Sequence, residues 1–194
     1  MNSWKKGMIF SLMVLSAFAG QAQEPAANIL VLDSFENGTW GSMGKATASA
    51  KTGKTAMICD RIGKPWIVTK SLAMTDWSRY TFLSFWLNYE NKDVLGKKLI
   101  VKVNSPQPGE DTVKTPNYYK AIVSLNFQGW KQIRIPLDKF FKIRNPAGWN
   151  AVKQLEFSID CFEPSTGATP SVILDEISLG TGTPESNQEI SNRN

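Results

Sequence analysis

Hydrolytic or lyase chemistry in this chain would have to draw on tyrosine, lysine or paired carboxylates, because the 194 residues include no histidine. That absence excludes Ser-His-Asp and Cys-His nucleophilic catalysis, histidine-ligated zinc and imidazole acid–base work. The acids that recur along the chain are Asp33, Glu36, Asp138, Glu156, Asp160, Asp175 and Glu176. A glycosidase needs two carboxyl groups roughly 5–9 Å apart, and no local spacing sets two of these apart from the rest. As solvated acids at strand edges they would need no chemistry at all.

Two further motifs invite a chemical reading. Ala48 to Thr55 (Ala-Ser-Ala-Lys-Thr-Gly-Lys-Thr) fits a loose phosphate-loop pattern. That chemistry requires a strand before the loop and a helix N-terminus after it. Here Ala56-Met57-Ile58-Cys59 continues as a strand, so Gly53 is expected to make a turn and nothing more. Cys59 and Cys161 leave two readings open: buried thiols, or one intersheet disulfide. A catalytic cysteine is not expected without a base beside it.

The elements that must position these groups read as strands. The segment Asp76 to Tyr89 is the richest in β-forming residues, and from Tyr80 onward its side chains alternate. Leu83, Phe85 and Leu87 take one face as core; Ser84, Trp86 and Asn88 take the other, read as solvated. Further strands are expected at Ile29 to Leu32, Thr55 to Asp60, Trp66 to Ser71, Lys97 to Asn104, Tyr118 to Phe127, Lys131 to Leu137, Val152 to Cys161 and Ser171 to Leu179. Asp138 to Asn150 reads as irregular, with a helical turn near Phe140. Ser105 to Asn117, with three prolines and a glycine, is a long connection of the kind that carries binding function. Short strands at intervals near ten residues, joined by Gly/Pro turns, predict an all-β fold: a single-domain antiparallel jelly-roll β-sandwich of about nine strands.

The chain ends frame that domain. Lys5 and Lys6, an apolar run from Met8 to Ala19 and small residues to Ala22 predict a signal peptide over 1–22. The run is too short for a spanning helix, so export to a periplasmic, cell-surface or extracellular location is expected. The sandwich would occupy 23–180, with a polar, disordered tail over 181–194. The 22 basic residues, less Lys5 and Lys6, stand against 17 acids. This mild excess includes no basic run, so nucleic acid is not an expected partner.

The pieces "DSFENGTW", "KTGKTAMIC", "DWSRYTFLSFWLNYEN", "GWKQIRIPLDKF", "GWNAVKQLEFSID" and "SVILDEISLG" occur in an order that resembles the galactose-binding-domain-like sandwiches. Those domains occur among carbohydrate-binding modules and as the N-terminal domain of chondroitin-sulfate-type polysaccharide lyases. The resemblance implies non-catalytic binding of a polysaccharide or oligosaccharide, neutral or acidic, as an accessory to glycan degradation. It also implies a structural Ca²⁺ held by Glu36 and Asp175, with Asp33 a weaker addition and backbone carbonyls completing six to eight oxygens. Sugar rings would stack on aromatics framed by polar groups. By parity the non-core face offers Trp86, Asn88, Lys102, Gln132, Arg134 and Glu156, rimmed by Trp66, Tyr118 and Trp149. Lys102 and Arg134 together would suit a uronate or sulfate. The alternatives are a small glycan lyase or hydrolase on the same face, and a protein-interaction module of an envelope complex.

Overall fold

A computed structural model of the chain describes residues 28–41, 44–59, 67–89, 97–110, 117–159 and 171–182. The expected signal peptide, Trp66, Cys161 and nearly all of the polar tail lie outside them.

Eleven strands are described: β1 (Ile29–Asp33), β2 (Gly44–Thr47), β3 (Ala56–Cys59), β4 (Ile67–Ser71), β5 (Phe82–Asn88), β6 (Lys98–Asn104), β7 (Tyr118–Ser124), β8 (Lys131–Pro136), β9 (Phe141–Ile143), β10 (Gln154–Ile159) and β11 (Val172–Gly180). All pairings are antiparallel and form two sheets. The six-stranded sheet runs β2-β3-β11-β5-β8, with β1 also on β11; the five-stranded sheet runs β4-β10-β6-β7-β9. The expected all-β sandwich is the fold observed.

Alternation puts the core where the sequence places it. Leu83, Phe85 and Leu87 of β5 are fully buried, as are Leu99, Val101 and Val103 of β6 and Leu155 and Phe157 of β10. The sheets meet edge-to-face at Phe85 and Phe157, with ring centroids 5.0 Å apart, a favoured aromatic geometry. At one end of the sandwich, Trp149 stacks on Tyr119 at 3.9 Å, lies parallel to Trp77 at 6.2 Å and meets Phe140 edge-on.

Three local features depart from the sequence expectation. Gly44 opens β2 because Met57 fills the room a side chain would need: a Cβ there would stand 2.6 Å from the Met57 sulfur. The stretch read as irregular contains a 3₁₀ turn at Leu137–Lys139 and then β9, which pairs with β7. In β11 the register shifts between Asp175 and Ser178, and Glu176 has φ +41°. That bulge lets Leu174 and Ile177, three residues apart, both enter the core.

Candidate functional site

The outward residues of the five-stranded sheet line up in rows across its strands. One row is Thr69, Glu156, Lys102, Lys120 and Phe141; the next is Ser71, Gln154, Asn104, Tyr118 and Ile143. With strands about 4.8 Å apart, five of them make a strip of about 19 Å. Polar pairs occupy its centre. The Lys102 ammonium donates to Glu156 at 2.7 Å, and the Asn104 amide donates to Gln154 at 2.7 Å. Tyr118 is partly exposed, with the Lys102 nitrogen 5.7 Å from its ring centroid. Phe141 is one of few large apolar side chains left exposed. The strip thus offers an aromatic surface beside paired donors and acceptors.

The outward face of the six-stranded sheet is partly covered by the 51–55 turn, with Trp86, Gln132 and Arg134 half-buried. The Asp175 carboxylate, wholly buried, accepts the backbone N–H groups of Lys51 and Thr52, each at 2.8 Å, and that of Glu176. Glu36 accepts those of Lys54 and Thr55 at 2.8 and 2.9 Å. Those two carboxylates hold the 51–55 turn against the sheet, and the Lys51 ammonium sits 4.8 Å over the Trp86 ring. The phosphate-loop look-alike is therefore a turn whose N–H groups are taken by the chain's own acids. Ser84 and Asn88, expected to be solvated, are buried.

Placement of the expected site residues follows from these two faces. Lys102, Glu156 and Tyr118 come together on the five-stranded sheet. Trp86, Asn88, Gln132 and Arg134 belong to β5 and β8 of the other sheet, so the single face assembled by parity is in fact two faces pointing in opposite directions. Lys102 and Arg134 cannot grip one anion. Arg134 instead bonds Gln132 at 3.1 Å and lies 5.8 Å from the Phe82 ring. Trp149, expected at the rim, is partly buried in the aromatic end of the core. Thr69, Asn104, Lys120, Phe141 and Gln154 join the strip unanticipated. Parity alone could have found Asn104 and Gln154; Phe141 needed β9.

The carboxylates expected to hold calcium each accept hydrogen bonds from the chain. Asp33 accepts the Phe35 N–H, the Trp40 indole N–H at 2.7 Å and the Lys70 ammonium. Burial works to raise the Asp33 pKa, but these donors and the Lys70 charge outweigh it and hold it below the usual value. The backbone N–H groups of Thr55 and Lys54 likewise hold Glu36 low. These N–H groups take up part of the roughly four lone-pair sites that a carboxylate offers. Among the described residues no three acids or cysteines converge on a common point. In this arrangement Asp33, Glu36 and Asp175 each accept donors from the chain itself. Cys59 is buried at the end of β3, and its proposed partner Cys161 is outside the described residues.

A family model described as "Carbohydrate binding domain (family 11)" matches residues 15–158. No curated protein matches the chain. Among solved structures, the family 11 module from Clostridium thermocellum in complex with a β-1,3-1,4-mixed-linked tetrasaccharide is similar at a TM-score of 0.57 and 19% identity, covering 80% of this chain and 96% of that one. A family 30 module of a cellulosomal cellulase from the same organism gives 0.54 and 19%, over 81% and 94%. A xylan-binding domain from Paenibacillus barcinonensis gives 0.52 and 19%, over 81% and 98%. At such identities these structures speak to the fold. Among the described residues no helix is long and apolar enough to cross a membrane.

Proposed function

The chain belongs to the family 11 carbohydrate binding domains and binds carbohydrate without cleaving it, and we propose that it does so on the outer strip of the five-stranded sheet. The observation that carries this choice is the arrangement on the strip: half-buried Tyr118 stands beside two paired polar couples on a sheet face that also leaves Phe141 exposed, whereas on the other sheet the 51–55 turn is bonded to Asp175 and sets Lys51 over half-buried Trp86. A pyranose presents apolar C–H faces to aromatic rings and hydroxyls that both donate and accept. The Lys102–Glu156 and Asn104–Gln154 couples supply both polarities side by side. A strip five strands wide favours a chain of sugars over a single ring.

A neutral β-glucan is the ligand this reading favours. Lys102 is already compensated by Glu156 at 2.7 Å, and Arg134 is on the opposite face, so the Lys102–Arg134 clamp for a uronate is not built and Lys120, the row neighbour of Lys102, is the other cation in these rows. The mixed-linked tetrasaccharide bound by the Clostridium module is the natural first probe. An enzymatic alternative lacks its acid pair here: Glu156 is the one carboxylate in the rows of the strip among the described residues. We also propose that the sandwich is exported through residues 1–22 and serves polysaccharide degradation as an accessory.

Affinity electrophoresis in barley-type mixed-linkage β-glucan tests the placement. Tyr118→Ala is expected to weaken binding about tenfold or more, the range for loss of an aromatic contact and its desolvated neighbours. Trp86→Ala is expected to leave it unchanged. The reverse pattern would move the site to the six-stranded sheet.

A further inference from the structure

One residue away from Tyr118, Asn117 is buried and its side chain is bonded at both its nitrogen and its oxygen. Its amide N–H donates to Glu110, and its carbonyl oxygen Oδ1 accepts the Asn145 backbone N–H at 2.9 Å. The Asn117 backbone carbonyl takes the Ser105 N–H at 2.9 Å. Gln107 completes the ring: its backbone N–H reaches Glu110 at 2.7 Å and its side-chain amide reaches the Asn145 carbonyl at 3.0 Å. Ser105 then ties in Gly148, donating to its carbonyl at 2.7 Å and accepting its N–H at 3.1 Å. Three separate segments, 105–110, 117–118 and 143–148, are thereby pinned together at the end of the strip.

What this clasp holds is unusual. Arg144 follows Ile143, the row partner of Tyr118, and has φ +60°. A left-handed backbone at a residue other than glycine is costly and persists where surrounding bonds over-determine it. Here both hydrogen-bonding groups of the next residue, Asn145, are clamped, its N–H by Asn117 and its carbonyl by Gln107. Arg144 itself is exposed and makes no ion pair or side-chain hydrogen bond among the described residues. A guanidinium is a donor-only fork, suited to the acceptor oxygens of sugar hydroxyls and ring ethers.

We propose that Asn117 is the positioning residue of the binding strip: through Glu110 and Asn145 it fixes Arg144 beside Tyr118, so that a glycan chain meets the aromatic ring and the guanidinium in one register. This rests on the assignment of the ligand to the five-stranded sheet. Nothing in the role requires Asn117 to touch the sugar.

Calorimetric titration with the mixed-linked tetrasaccharide tests it, with Tyr118→Ala as the control for the site itself. Wild-type affinity in Tyr118→Ala overturns the site assignment, whatever Asn117 does. Asn117→Asp sets a carboxylate against Glu110 and is expected to weaken binding about tenfold, a cost of the size found when a buried hydrogen-bonded group loses its partner. Adding Glu110→Gln restores a donor opposite the new acceptor, and affinity is expected to return to within about threefold of wild type, the mark of a coupled pair. Arg144→Ala is expected to weaken binding about tenfold alone and to add no further loss in the Asn117→Asp background. Wild-type affinity in Asn117→Asp, or a paired swap as weak as the single variant, overturns the proposal. Should Asn117→Asp fail to fold, the swap and Arg144→Ala carry the test: undiminished binding in Arg144→Ala, or weak binding in the folded swap, rejects it.

Discussion

At Asp33 a single carboxylate joins the two sheets, because its strand belongs to one and Lys70 to the other. Trp40, packed between Phe35 and Phe157, adds its indole N–H to the same oxygen that takes Lys70. The sign of the pH effect follows from the lowered folded pKa. An unfolded aspartate titrates near about 3.9, so the folded state prefers the ionised form more strongly than the unfolded state does. The stabilisation is whole above that unfolded value and is lost as pH falls through the lower folded one. Urea denaturation at pH 7 is therefore expected to find Asp33→Asn less stable than wild type. The gap should close as pH drops below 4. A gap independent of pH would mean that Asp33 acts by shape and not by charge.

Between residue and sheet stands the 51–55 turn, whose bonds to Glu36 and Asp175 hold it over part of the six-stranded face. Gly53 has φ +61°, and a side chain there would collide with the Glu36 carboxylate. Gly53→Ala is expected to cost at least about 1–2 kcal/mol in chemical denaturation, the price of a left-handed alanine before any clash. Stability equal to wild type would show that the turn is free to re-form elsewhere. Most strands were legible because their apolar residues repeat every second position, as at Leu83, Phe85 and Leu87. β2 was hidden because its opening glycine is the mark of a loop. β9 was hidden because three residues are too few to show a period. The β11 bulge breaks parity between Leu174 and Ile177, and no local rule announces it.

Across the whole molecule the outward side chains divide between two sheets, one of them partly covered by the 51–55 turn, and this is what the sequence could not convey. Parity told correctly that Trp86, Arg134, Lys102 and Glu156 all point away from the core. It could not tell which sheet each strand would join, because pairing is decided between segments far apart in the chain. β5 and β8 went to one sheet, β6 and β10 to the other, and the expected site divided with them. Lys102, Glu156 and Tyr118 survive as neighbours because their strands are consecutive in the order β10-β6-β7. The central claim is that carbohydrate lies along that sheet's outer strip. Backbone amide chemical-shift mapping during titration with the mixed-linked tetrasaccharide tests it most directly. The account predicts shifts concentrated at 100–104, 118–122 and 154–158, with 84–88 and 132–134 unmoved. Shifts confined to the second set, leaving Tyr118 and Lys102 silent, would contradict it.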